Sequence, residues 1–246
     1  MEKTITFNLD DDQTFSGRLA LAEDFAPGSS PMVLLAHGAA NTMDHPLLVF
    51  LCRELARSGL SCLRFNFPYS EAGRSKPDAQ PTLEAAWRRV LAQVKTDPDL
   101  APRHVVAAGK SLGGRVASQM AANGQLPADG LIFYGYPLHL PGRKDILRDA
   151  HLSAIKSPML FFAGTRDPFC DLDLMRPVCR RLGDQATLEI IDGGDHSFDP
   201  PAGAGPEARD QAYRRLLERS VAWIEATIDG GKALPLPPQG GAPDNR

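Results

Sequence analysis

The sequence predicts an α/β fold, a mostly parallel central sheet with helices on both faces, and three observations carry that expectation. Short apolar runs rich in Val, Ile, Leu and Phe recur along the chain: "PMVLLAH", "LSCLRFNF", "HVVAAGK", "GLIFYGY", "PMLFFAG" and "ATLEIID". They lack the polar alternation of half-exposed strands, as strands covered on both faces do. Helix-like spacers separate most of them, the rhythm that builds a parallel sheet. The chain has 246 residues, 43% of them hydrophobic, enough for one domain with a well-buried core.

In chain order, "TITFNL" and "TFSGRLALA" flank the acidic turn "DDDQ", so an antiparallel pair opens the fold. Helices are predicted over "PLLVFLCRELARSG", "TLEAAWRRVLAQVK", "LGGRVASQMAANG", "DLDLMRPVCRRLG" and "EARDQAYRRLLERSVAWIEATI". In the last, Tyr213, Leu217, Val221, Ile224 and Ile228 recur every three or four positions and mark one buried stripe. A single domain is expected over residues 1–230. Residues 231–246, "GKALPLPPQGGAPDNR", are dominated by Gly and Pro without periodicity and are expected to form a flexible tail.

A formal charge of −3 gives no basic footprint for nucleic acid or an anionic lipid surface, which leaves small molecules or proteins as partners. The start, "MEKTITFNLDDDQ", lacks the positive charge and apolar core of a secretion signal, and no run is long enough to span a bilayer. A soluble, cytoplasmic protein is expected. Cys52, Cys62, Cys170 and Cys179 form no CxxC pair and read as reduced, structural thiols.

The chemistry centres on Gly109, Lys110, Ser111, Leu112 and Gly113, a GxSxG where the strand "HVVAA" turns into the helix "LGGRVASQMAA". Serine is also a favoured helix cap, and GxSxG arises by chance in roughly one chain of this length in ten, so the context has to decide. In a tight strand-to-helix turn, side chains at Gly109 and Gly113 would crowd the backbone while the serine oxygen projects above the sheet edge. The phosphate-binding GxxxxGK[ST] shares "GKS" but needs glycine where His104 stands.

A serine hydroxyl is barely ionised at neutral pH and needs a base, which in turn needs an orienting carboxylate. "FFAGTRDPF" places Asp167 just past a buried strand, and "IIDGGDHSF" places His196 in a glycine turn after the next one. Ser111, Asp167 and His196 are therefore the candidate catalytic residues, with Asp192 a reserve acid. Asp195 adjoins His196 too closely for head-on contact, and Asp171 and Asp173 read as helix-start residues. The strand "LLAH" ends at His37-Gly38, so the N–H groups of Ala39 and Leu112 are the expected oxyanion donors, with His37 bracing the loop. His45 reads as a surface residue. His139 and His151 are candidates to line a pocket.

Together "AHGAANTMDHP", "RFNFPYSEAGR", "GKSLGGR", "GTRDPF" and "GDHSF" resemble the α/β-hydrolase superfamily from about Thr4 to Ile228, with most similarity to its dienelactone-hydrolase-like branch, which includes the testis-expressed hydrolase-like proteins. The resemblance implies the α/β-hydrolase fold, a Ser111–Asp167–His196 triad and hydrolysis of a small ester or thioester through an acyl-enzyme, with no cofactor and no metal. True dienelactone hydrolases carry cysteine where this chain has Ser111. Only "PLHLPGRKDILRDAHLSAIKS" separates "GLIFYGY" from "PMLFFAG", too little for a large cap domain. An open cleft is expected, covered in part by that segment and by "PYSEAGRSKPDAQP". Arg64, Arg74, Lys76, Lys110 and Arg143 lie in or beside these loops and would suit an anionic acyl group, but Glu71, Asp78 and Asp145 are interspersed, as on a solvated surface. A non-catalytic interaction module, or a peptidase or acyltransferase with the same triad, remains open at this level.

Overall fold

The computed structural model describes residues 2–10 and 13–228. The middle of the acidic turn and the Gly/Pro-rich segment 231–246 lie outside the described residues. Eight strands form one sheet: β1 (Glu2–Asn8), β2 (Thr14–Ala20), β3 (Pro31–Ala36), β4 (Ser61–Phe65), β5 (His104–Lys110), β6 (Gly130–Tyr134), β7 (Met159–Gly164) and β8 (Ala186–Ile191). Their order is β1-β2-β4-β3-β5-β6-β7-β8. β1 and β2 pair antiparallel in the register Phe7↔Phe15, with those rings stacked at 5.0 Å, and β2 pairs antiparallel with β4. All remaining pairings are parallel.

Among the described residues, α1 (Pro46–Arg57), α2 (Pro68–Glu71), α3 (Gln80–Thr96), α4 (Leu112–Ala122) and α5 (Leu172–Leu182) lie between strands, and α6 (Ala208–Ile228) follows β8. The continuous apolar strands are explained by two cores. Met32, Leu34 and Ala36 of β3 face α3, α4 and α5, while Val33 and Leu35 between them face α1 and α6. Successive strand side chains point to opposite faces, so a strand buried on both sides is apolar except where a polar side chain is partnered, as Arg64 of β4 is by Glu2. β5 repeats the division, with Val105 and Ala107 on one side and Val106 and Ala108 on the other.

The short α2 stands within a segment expected to be a loop. The stripe of α6 also differs from expectation: Tyr213, Leu216, Ser220, Trp223 and Ile224 are buried, whereas Leu217, Val221 and Ile228 are only partly covered. Ser220 is inside because it is fully partnered. Tyr134 Oη donates to its Oγ at 2.8 Å, and that Oγ donates to the Leu216 carbonyl at 2.7 Å. Hydrophobicity alone overlooks a serine that closes such a pair. Among the described residues, no helix is long and apolar enough to cross a membrane.

The two readings of α6 separate by mutation. Leu216→Ala is expected to cost about 2–5 kcal/mol of unfolding free energy, the range for emptying a sealed core position. Leu217→Ala is expected to cost about 1 kcal/mol or less. Equal losses in urea denaturation would contradict this orientation of the helix.

Candidate active site

Every candidate residue lies where a parallel strand ends at its C-terminal edge, the edge at which open α/β sheets form ligand crevices. Ser111 follows β5, Asp167 lies three residues past β7, and His196 lies five residues past β8. Ser111 itself has φ 49° and ψ −112°, a conformation that a side-chain-bearing residue adopts only when its surroundings impose it. Those surroundings are backbone. A Cβ on Gly109 would lie 2.3 Å from the Gly114 nitrogen, and one on Gly113 would lie 2.6 Å from the His37 carbonyl oxygen. Neither position has room for a methyl group. The Ser111 N–H donates to the Tyr134 carbonyl at 3.1 Å and its carbonyl accepts from the Arg115 N–H at 3.0 Å, which holds the turn from both sides.

The three side chains meet. His196 Nε2 is 2.9 Å from Ser111 Oγ, and His196 Nδ1 is 2.9 Å from both oxygens of Asp167. The Asp167 side chain is sealed from solvent, and Oδ1 also accepts from the Phe169 N–H at 2.8 Å, so the buried carboxylate is hydrogen-bonded. The Phe169 ring lies 4.4 Å from the imidazole, centroid to centroid. The loops after β7 and β8 approach because Gly164 has no side chain: a Cβ there would sit 2.2 Å from the Gly194 carbonyl oxygen. That carbonyl accepts from the Arg166 N–H at 2.9 Å.

The other acids take structural parts. Asp195 Oδ1 accepts from the Ser197 and Asp199 N–H groups and shapes the histidine turn. Asp192, the reserve acid, accepts from Thr165 Oγ1 at 3.2 Å rather than meeting His196. Asp171 caps α5 as expected. His139 Nε2 accepts from the Asp171 N–H at 3.0 Å in a neighbouring cavity, and His151 Nε2 lies 2.8 Å from Ser118 Oγ. His45, expected on the surface, caps α1 by accepting from the Leu47 N–H, and burial pushes its pKa down to about 4. All four cysteines are buried and free. Among the described residues, no group of three or more His, Cys, Asp or Glu could hold a metal ion.

Ala39 and Leu112 line one cleft of about 390 Å³ with Ser111 and His196. Leu112 opens α4, so its N–H has no acceptor within the helix. The loop carrying Ala39 is held from behind. His37, fully buried, donates through Nδ1 to the Gly38 carbonyl at 2.7 Å and accepts the Phe67 N–H at Nε2, 3.0 Å away. Tyr69 Oη donates to the same Gly38 carbonyl at 3.1 Å, and Ser70 Oγ donates to the Asn41 carbonyl at 2.9 Å. This is the use of α2, which composition did not reveal: its segment supports the loop and does not line the cleft. The connection between β6 and β7 does line it, through Pro137, Leu140 and Arg148.

Of the basic residues singled out by sequence, only Lys110 lines the cleft. Arg64 is buried against Glu2 and Asp44, Arg74 pairs with Asp78, and Arg143 pairs with Asp145. Burial lowers the Lys110 pKa, opposed by the carboxylates of Asp167, Asp195 and Asp199.

Residues 29–225 match the family described as "Alpha/beta hydrolase domain", and the chain belongs to that family. Similar solved structures include a dienelactone hydrolase from Anabaena variabilis, 18% identical, covering 92% of this chain and 98% of that one with a TM-score of 0.70. Another is XC6422 from Xanthomonas campestris, an α/β serine hydrolase without a lid: 20% identity, 95% and 97% coverage, TM-score 0.66. A third is a thermophilic esterase from Thermogutta terrifontis with propionate bound, at 17% identity, 96% and 97% coverage and TM-score 0.66. The mostly parallel sheet with helices on both faces thus follows the α/β-hydrolase fold expected from the sequence.

The bracing histidine makes stability depend on pH. Burial lowers the His37 pKa from 6.5 to about 4. Between those values the unfolded chain binds more protons than the folded one, so stability present above pH 6.5 is lost as the pH falls toward 4. The shift corresponds to about 3 kcal/mol. Urea denaturation is expected to show wild type losing about that much more than a His37→Gln variant between pH 7 and pH 4. Parallel pH profiles would mean that His37 charges freely in the native state.

Proposed function

We propose that the protein is a serine hydrolase that cleaves a small ester or thioester through an acyl-enzyme. The observation that carries this reading is the unbroken hydrogen-bonded chain from Asp167 through His196 to Ser111, standing in an open cleft beside two backbone donors. Family membership and the esterase and serine hydrolase among the similar structures support it.

In the first step Ser111 Oγ bonds to the substrate carbonyl carbon as its proton passes to His196 Nε2. The carbonyl electron pair moves onto oxygen, where the N–H groups of Ala39 and Leu112 receive it, each such donor supplying about 3 kcal/mol when preorganised. Asp167 holds the ring with Nδ1 protonated and stabilises the imidazolium. The tetrahedral adduct then collapses, the bond to the leaving alcohol or thiol breaks, and that group takes the proton from Nε2. Water repeats the sequence with His196 as base, giving free acid and restoring Ser111.

The test is a fluorophosphonate probe followed by intact mass and peptide mapping. One adduct per chain is expected on Ser111, and none in Ser111→Ala. Against a simple aryl ester, Ser111→Ala and His196→Ala are expected to lower kcat by about 10⁴- to 10⁶-fold, with Asp167→Asn milder. A folded wild type that takes no label, or losses below about tenfold, would overturn the reading in favour of a non-catalytic module.

A further inference from the structure

Three cations line the cleft beside Ser111, namely Lys110, Arg115 and Arg148, and no carboxylate lines it with them. This holds in a chain whose formal charge is −3. Lys110 is answered from within the fold by Asp167, Asp195 and Asp199. The two arginines are different. Neither guanidinium has a hydrogen bond or ion pair with any described residue, and Arg115 Nε is shut off from solvent without a hydrogen-bond partner among them.

Their placement is physically unfavourable for an empty protein. Arg115 is the fourth residue of α4, at the helix end whose dipole repels a cation. Arg148 is close enough for Arg115 to lower its pKa, after the larger effect of burial. The same two charges reach Tyr136, and Arg115 also lowers the His151 pKa, so they share one small region. Asp149, the acid that acts on Tyr136 and His151 in the same region, is engaged by Arg181 at 2.5 Å. Arg148 is not simply adrift, because its N–H donates to the Leu138 carbonyl at 2.8 Å and its carbonyl accepts from Tyr136 Oη at 2.6 Å. The backbone is anchored while the charged end is left without a partner.

Two guanidinium groups lining one cleft, partly desolvated and unpaired among the described residues, form a receptor for an oxyanion, since each offers a planar fork of donors matched to a carboxylate. Resting on the hydrolase reading, we propose that Arg115 and Arg148 bind a carboxylate carried by the substrate, which is therefore an ester or thioester with one free acid group, such as a half-ester of a dicarboxylic acid. Arg115 stands one helical turn beyond Ser111, so an anion held there fixes the substrate next to the N–H of Leu112. The sequence placed a possible anionic site on Arg64, Arg74, Lys76, Lys110 and Arg143; Arg64, Arg74 and Arg143 are paired with acids, and Lys110 alone of the five lines the cleft.

The experiment separates recognition from turnover. Ser111→Ala protein is titrated calorimetrically with mono-p-nitrophenyl adipate and with the matching ester in which a carboxamide replaces the free acid. The carboxylate compound is expected to bind about ten- to hundredfold more tightly, with the advantage shrinking as salt is raised. The ratio is expected to fall to within about threefold of unity when Arg115→Gln or Arg148→Gln is added, and to recover in part with Arg115→Lys. Arg148 lies in a connection rather than a helix, so its variant serves if the Arg115 variant does not fold. Equal binding of the two compounds, no measurable binding of either, or a ratio that survives both glutamine substitutions would overturn the proposal. Wild-type turnover is read beside it: cleavage of both esters with equal binding leaves the hydrolase standing without the anion site. Tighter carboxylate binding with no cleavage of either ester leaves the anion site standing and removes the hydrolase.

Discussion

The elbow after β5 is a contact between backbones that leaves no space for side chains, and the rest of the site is arranged around it. Gly109 meets Gly114 across the turn, and Gly113 meets the carbonyl of His37 at the end of the neighbouring strand β3. One approach therefore fixes three things together: the start of α4, the end of β3 and the left-handed Ser111 between them. A conformation of that kind costs on the order of 1–3 kcal/mol and survives only because its neighbours over-determine it. Ala40 and Phe198 also have positive φ, at 53° and 64°. They sit in the donor loop and the histidine loop, so strain collects around the proposed nucleophile and is sustained by two cores elsewhere.

The polar parts follow the same logic of burial with complete partnering. Asp167 is buried yet accepts from His196 and from the Phe169 N–H, which spares the fold an unsatisfied carboxylate. His37 is buried and neutral because one ring nitrogen donates and the other accepts, and a second proton would set Nε2 against the Phe67 N–H. Arg115 breaks this pattern. Arg115 Nε and Asp199 Oδ1 are both buried near the site without a hydrogen-bond partner among the described residues, and of the two only Arg115 lines the cleft. A departure of that kind points outward, to something the cleft is built to receive.

Much of this was legible in the letters. Strands β3 to β7 announced themselves because both faces of each are covered, and GxSxG with downstream Asp167 and His196 located the three side chains that the fold brings within hydrogen-bond distance. What escaped was set by tertiary contact. Ser220 reads as a polar surface residue until Tyr134 is seen donating to it. α2 is four residues long, too short for periodicity to register, and its value lies in what Tyr69 and Ser70 hold. Gly164 looks like any strand-end glycine, although its missing Cβ is what lets the acid and histidine loops close. Arg115 was hidden by its helix: a charged residue on an amphipathic segment suggests solvent, and GxSxG places the start of α4 at the site without telling which way its fourth residue faces.

The central claim is that Asp167 holds His196 in a single tautomer, proton on Nδ1 and lone pair on Nε2, facing Ser111. Nitrogen NMR of protein labelled in its histidines tests this most directly, since a protonated and a bare ring nitrogen resonate far apart. The neutral His196 ring should show Nδ1 protonated and hydrogen-bonded, and Asp167→Asn should disturb that assignment. A ring protonated instead on Nε2, indifferent to Asp167, would contradict the account.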